Sequence, residues 1–124
     1  MVGWLTAELR RLGNTCVWSW QGFAATWATE KTLRQWTIAN VISVGFALWL
    51  PLSPAERALI LALGLLVLAA ELINTAIEVV VDYISTDQHP MAGKAKDCGS
   101  ATVAVTAIAA GVAWVVILWG LWQV

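Results

Sequence analysis

The chain has 124 residues, one domain's worth, of which 60% are hydrophobic and 12% charged. With a mean hydropathy of +0.74, a water-soluble fold of this size could not hide that much apolar surface, so the composition excludes the ordinary globular classes and points to an integral membrane protein. The net charge of −1 says little beside the placement of the charges, and no nucleic-acid partner is expected.

The first segment runs from Trp4 to Trp27. Leu5, Leu9, Leu12, Cys16, Trp20, Phe23 and Trp27 recur at steps of three or four, which on a helix forms one continuous apolar stripe. Arg10, Asn14 and Gln21 fall on the far side. The pattern predicts an amphipathic helix at about 4–28 that lies on the membrane rather than crossing it, and an anchoring role alone would satisfy it. Glu8, Arg10 and Arg11 interrupt the stretch where a signal peptide would need its apolar core, so none is expected. Cys16 and Cys98 lie far apart in no metal-ligand spacing and read as small hydrophobic packers.

From Gln35 to Ala55 no residue is charged, and Trp36 and Trp49 stand near the ends of a first expected span at about 33–51. "LPLSPAER", Leu50 to Arg57, reads as a short turn. In it Ser53 can cap the next helix and Pro54 can occupy that helix's first position. A second span is expected at 54–84. "STDQHPMAGKAKD", Ser85 to Asp97, is polar and reads as a loop, with Pro90 and Gly93 as breakers. A third span, at about 97–122, follows from the charge-free run Cys98 to Val124. Nine Trp residues, several near segment ends, fit interfacial aromatic belts. Arg10, Arg11, Lys31 and Arg34 precede the first span and Lys94 and Lys96 follow the second, whereas the first loop has only Arg57. By the positive-inside rule the N-terminus and the second loop are cytoplasmic and the C-terminus is outside.

The second span contains "AELINTAIEVVVD", Ala70 to Asp82. At about 100° per residue, Glu71, Asn74, Thr75, Glu78 and Asp82 project into one sector roughly 100° wide. Leu72, Ile73, Ala76, Val79 and Val80 cover the opposite side. A charged side chain near the bilayer centre costs on the order of 3 kcal/mol by insertion scales, so such residues are by default functional or paired. A structural ion pair, or a protonated glutamate buried between helices, would also account for them. The spans, however, offer no basic partner to Glu71 or Glu78 at a similar depth. A bound cation would supply the missing positive charge, and carboxylate oxygens suit Mg²⁺. "GKAKD", Gly93 to Asp97, adds lysines that can receive polyphosphate, although lysines in a cytoplasmic loop are also a plain topology signal. His89 by itself reads as a solvated loop residue. The chain lacks GxxxxGK[ST], HRD and DFG, so neither common nucleotide-kinase architecture is present. A proton or cation pathway and a non-catalytic membrane assembly subunit are the competing classes.

Together, "AELINTAIEVVVD" and the distant "GKAKDCGSA" resemble the prokaryotic diacylglycerol kinase family, and the similarity extends from "WSWQGFAATWATEKTLRQ" through the third span. The resemblance implies an all-α homotrimer in the bacterial inner membrane. Each subunit would have one surface helix and three spans, and would transfer the γ-phosphate of MgATP to the hydroxyl of diacylglycerol, giving phosphatidic acid. It implies Glu71 as general base and Glu30 with Glu78 as holders of Mg²⁺. Arg11, Trp18, Asp87, His89, Lys96 and Asp97 would join Glu30 and Glu78 around the nucleotide. Arg11, Ser19, Trp20, Arg34, Arg57, Asn74 and Ser100 would join Glu71 on the lipid side. The chain departs from the family's best-known members at Trp36, where they carry a second acidic residue, at Pro90, where they carry glutamate, and at Trp18, where they carry tyrosine. Some relatives phosphorylate undecaprenol, the alternative lipid alcohol.

Overall fold

The computed structural model describes residues 2–123 as four α-helices, α1 (Val2–Thr29), α2 (Lys31–Trp49), α3 (Pro54–Ile84) and α4 (Pro90–Trp122). Local chemistry sets each boundary. Between α1 and α2 the single residue Glu30 is extended, with φ −98° and ψ 112°. Arg34 closes the end of α1 by donating from Nη1 to the carbonyls of Trp27 and Ala28. α2 stops at Trp49, just before Pro51, a residue with no N–H to continue a helix. The turn that follows is tied down by Arg57. Its Nε donates to the Ala47 carbonyl at 2.9 Å and its Nη2 reaches the carbonyls of Leu50 and Leu52.

α3 begins with a capping box. The Ser53 hydroxyl accepts from the Glu56 N–H, the Glu56 carboxylate accepts from the Ser53 N–H at 2.8 Å, and Pro54 takes a first-turn position where no N–H is needed.

The segment expected to be a loop from Ser85 to Asp97 is much shorter. α4 begins at Pro90, with His89 as its N-cap accepting the Met91 N–H on Nδ1 at 3.1 Å. Pro90 therefore starts a helix instead of breaking one, because its fixed φ and missing N–H suit a first turn. Gly93 is absorbed as an ordinary helical residue. Lys94, Lys96 and Asp97 consequently ride on the first turns of α4 and not on a flexible loop.

α3 is the central element. It packs most extensively on α4, then on α2, while α1 leans only sparsely on α2 and α3. Short connections make α2, α3 and α4 successive antiparallel neighbours. Ala47, Leu52, Ile60, Ala113 and Ile117 form the buried apolar cluster at the end where α2 meets α3. Two close approaches further along depend on small or polar residues. Gly64 lets α2 settle so near that an added methyl would stand 1.9 Å from Asn40 Oδ1, and Trp114 Nε1 on α4 reaches across to donate to Ser43 Oγ on α2 at 2.9 Å.

The burial pattern is inverted relative to a soluble bundle. On α3, Glu71 is 3% exposed and Thr75 is buried, whereas Ile73 is 56% and Val79 61% exposed. Helix α4 likewise turns Val105, Ile108, Val115 and Val116 outward. Such a surface is stable against hydrocarbon and not against water. Among the described residues, α3 and α4 are the two helices long and apolar enough to cross a bilayer. α2, at 19 residues, is about 28 Å long by helical rise, but Gln35, Thr37, Asn40 and Ser43 make it more polar than those two.

Candidate active site

The polar stripe of α3 opens at its C-terminal end into a cleft. There the last turn of α3, the connection 85–89 and the first turns of α4 enclose about 560 Å³, lined by Asp82, Asp87, His89 and Lys96 among others. This volume lies within the range of small-molecule sites. Lys96 Nζ is paired with Asp82 Oδ1 across the α3–α4 seam. Both side chains are substantially exposed, at 38% and 53%, and a pair of that kind contributes little, about 0–1 kcal/mol. The lysine can therefore exchange its partner for a phosphate oxygen at small cost. The Asp87 N–H is held by Ser85 Oγ at 3.0 Å, which tightens the connection that lines the cleft.

From Asp82 the stripe runs inward. Glu78 stands about 6 Å along the axis and Glu71 roughly 10 Å beyond it. Asn74 sits between them. Its Nδ2 donates to Glu78 Oε1 at 3.0 Å, while its Oδ1 is buried with no partner among the described residues. An unsatisfied buried acceptor is costly, and its position beside Glu78 adds a neutral oxygen to a carboxylate in a single locus. Glu71, the most buried of the set, accepts a hydrogen bond on Oε2 from the Thr32 hydroxyl of α2 at 3.3 Å. Glu30 and Glu78 are its charged neighbours. Glu30 is the N-cap residue of α2, and its side chain makes no cap hydrogen bond.

Among the described residues no three His, Cys, Asp or Glu side chains are gathered tightly enough to enclose a metal ion. That donor set still fits Mg²⁺ carried with a polyphosphate. Such an ion takes one or two protein carboxylates, keeps several waters and completes its shell with phosphate oxygens, needing no protein cage.

The approach of α4 to this site depends on Gly99. A methyl there would lie 2.5 Å from Asn74 Oδ1 and 3.4 Å from Ile77 Cδ1. Gly99→Ala is expected to push the carboxamide off Glu78 and lower turnover by about 10-fold or more, the scale seen when groups that orient a ligand are lost, with little change in helix content by circular dichroism. Gly99→Ser should behave likewise.

The remaining expected site residues divide in two. Asp87, His89 and Lys96 share the cleft, and Asp97 and Ser100 lie exposed on the adjoining turns of α4. Arg34 caps α1 close to Glu30. Arg11, Trp18, Ser19 and Trp20 are exposed on α1, with Arg11 paired to Glu8 at 2.9 Å. Within one chain they are not brought to the cleft, since Trp18 precedes Glu30 by about 18 Å of helix. Arg57 stands at the opposite end of α3, roughly 21 Å along the axis from Glu71, where it fastens the α2–α3 turn. Two residues given no role from the sequence, Thr32 and Gly99, touch the stripe directly. Gly99 stood within the GKAKDCGSA motif, while nothing in the sequence assigned Thr32 a contact.

Comparison with known proteins places the chain in a family. The family model described as prokaryotic diacylglycerol kinase matches residues 17–118, which include every stripe and cleft residue named above. The diacylglycerol kinase of Escherichia coli K12 is 37% identical over 114 residues, covering 92% of this chain and 93% of that protein. The diacylglycerol kinase of Pseudomonas aeruginosa is 41% identical over 112 residues, covering 90% and 91%, and that of Haemophilus influenzae is 35% identical, covering 88% and 92%. A bilayer-type surface, a buried acidic stripe and a lysine-bearing cleft thus coincide with similarity along nearly the whole chain, and the protein belongs to the prokaryotic diacylglycerol kinase family.

Proposed function

We propose that the α3 stripe is the catalytic centre at which this kinase passes the γ-phosphate of ATP to the hydroxyl of diacylglycerol. The nucleotide occupies the cleft of Asp87, His89 and Lys96, with Asp97 at its edge. Lys96 releases Asp82 to meet the phosphates, as a point charge suited to them. Glu30 and Glu78, with Asn74 beside Glu78, would hold Mg²⁺, which when bound would neutralise charge on the transferring phosphoryl group. Glu71, deeper in the bilayer, accepts the proton of the lipid hydroxyl. The freed oxygen forms its bond to the γ-phosphorus while the bond from that phosphorus to the β–γ bridging oxygen breaks, leaving ADP and phosphatidic acid. A hydroxyl is a weak nucleophile until a base within hydrogen-bond reach takes its proton, and the rest of phosphoryl transfer is positioning and charge neutralisation.

The observation that carries this reading is continuity. A buried carboxylate, Glu71, shares one face of α3 with the hydrogen-bonded pair Asn74 and Glu78 and with Asp82, which lines a cleft that carries a lysine. A lipid alcohol arriving from the leaflet and a nucleotide arriving from water would meet along one helix face.

The whole chain then acts as a single membrane domain in the bacterial inner membrane. α1 lies on the surface, α2, α3 and α4 cross, and the N-terminus and the 85–89 connection are cytoplasmic. Length supports α2 as the third span, and its polar residues face α3 and α4 through Asn40 and Ser43. A homotrimer completes the assembly. α1 contributes Arg11, Trp18, Ser19 and Trp20 to a neighbour's site, which their distance from the cleft of their own chain requires if they act there at all. A polar stripe covered by only three helices also favours association in lipid.

Purified protein in detergent micelles, given ATP and Mg²⁺ with dioctanoylglycerol or undecaprenol in parallel, tests the substrate. Diacylglycerol is expected to turn over faster. Preference for undecaprenol would reassign the lipid, and failure on every lipid alcohol together with cation conductance in liposomes would replace the kinase centre by an ion pathway.

A further inference from the structure

Glu71 is gripped from α2. Thr32, at the start of that helix, donates from Oγ1 to Glu71 Oε2 across 39 residues of sequence. Trp36, four residues on and therefore on the same face of α2, lies close to the same carboxylate. Both come from positions that bear no charge.

We infer that Thr32 is a positioning residue that fixes the orientation of the Glu71 carboxylate and leaves Oε1 as the oxygen that receives the substrate proton. The inference rests on Glu71 acting as the base.

A glutamate has three rotatable side-chain bonds, and a free one would sample orientations in which neither oxygen meets the incoming hydroxyl. A carboxylate has two oxygens and several lone-pair sites. Thr32 occupies one of them on Oε2, so the carboxylate is anchored without being consumed. Because the donor is a neutral hydroxyl, it steadies the negative charge without competing for the lipid proton. Trp36 adds only an indole N–H to this neighbourhood, a donor that holds no proton it readily gives up. A carboxylate at this position would instead repel Glu71. The hydroxyl lies two residues beyond Glu30, and the start of α2 therefore brings a metal-site carboxylate and the anchor of the base to α3 together.

The effect belongs to the chemical step. Misplacing a reacting group by about 1 Å can cost about 10²-fold in rate. Thr32→Val keeps the shape and removes the donor. It is expected to lower kcat by roughly 10- to 100-fold while KM for ATP and for lipid stays within about a factor of two, the signature of an interaction used at the transition state. Thr32→Ser keeps the hydroxyl and should restore most of the rate. Trp36→Phe should cause a smaller loss of the same kind. The three variants and Glu71→Gln are assayed with ATP and dioctanoylglycerol in the same micelles, each first checked for an unchanged thermal unfolding midpoint. Wild-type kcat in Thr32→Val beside an inactive Glu71→Gln would overturn the positioning role alone. That role also fails if Thr32→Ser is as slow as Thr32→Val, or if KM rises in place of the fall in kcat. Normal turnover in Glu71→Gln would instead remove the base assignment on which the inference rests.

Discussion

Glu71→Gln is expected to stop phosphate transfer while leaving nucleotide binding intact. The amide matches the carboxylate in size and can still accept from Thr32 Oγ1, so the packing between α2 and α3 survives. What disappears is the ability to take a proton from the lipid hydroxyl. A positioned base contributes about 10²–10⁴-fold to such a reaction, and kcat should fall by that amount. ATP affinity, which the proposed mechanism assigns to Lys96 and Glu78, should stay near its wild-type value. A second readout separates this account from a structural one. Glu71 is only 3% exposed, and a charged carboxylate buried in a membrane helix costs on the order of 3 kcal/mol, so the neutral glutamine should unfold no earlier on heating. An inactive variant at least as stable as wild type is the expected pair of results. A variant that is slow because it is unstable would assign Glu71 to packing.

Glu78→Gln is expected to act on the metal. Glu78 stands between the cleft and Glu71 and accepts from Asn74 Nδ2 at 3.0 Å. Loss of groups that merely orient a metal ligand costs about 10- to 100-fold in affinity, and loss of the carboxylate itself should cost no less. The Mg²⁺ concentration for half-maximal rate should rise by at least about 10-fold, with ATP affinity weakening in step. Excess Mg²⁺ should recover part of the rate. Glu30→Gln should show the same behaviour more mildly, since that residue sits at a helix start and is only half-buried. An unchanged Mg²⁺ dependence in both variants would move the metal elsewhere.

Much of the architecture was open to sequence reasoning because membrane helices announce themselves in hydropathy and their ends in caps. Ser53 and Pro54 mark the start of α3 as their chemistry requires. The acidic file was equally plain, since Glu71, Asn74, Glu78 and Asp82 recur at helical spacing. Its direction also came through, with Glu71 and Thr75 inward and Ile73, Val79 and Val80 outward. The Ser85–Asp97 segment misled for a physical reason. Proline and glycine in polar company suggest a loop, but a proline directly after a residue able to cap is equally a helix start, and His89 supplies that cap. The helical placement of Lys96 follows from this, and so does its pairing with Asp82 on the neighbouring helix. Thr32 lay beyond reach. Periodicity tells which face of a helix turns inward, not which residue of another helix awaits it, and an isolated threonine near a lysine and an arginine gives no hint of a partner 39 residues away. Asn40 over Gly64 is a similar case. Each residue is unremarkable in sequence, and only the helix crossing makes the glycine necessary.

Direct passage of phosphate from nucleotide to lipid, with Glu71 taking a proton and never the phosphate, is the central claim, and the stereochemistry at phosphorus tests it most directly. ATP made chiral at the γ-phosphorus with oxygen isotopes is turned over with diacylglycerol, and the configuration of the phosphatidic acid is read. A single in-line displacement predicts inversion. Retention, with labelled phosphate trapped on a carboxylate of the protein, would mean two successive transfers through a covalent phosphoryl-protein, and would contradict the account.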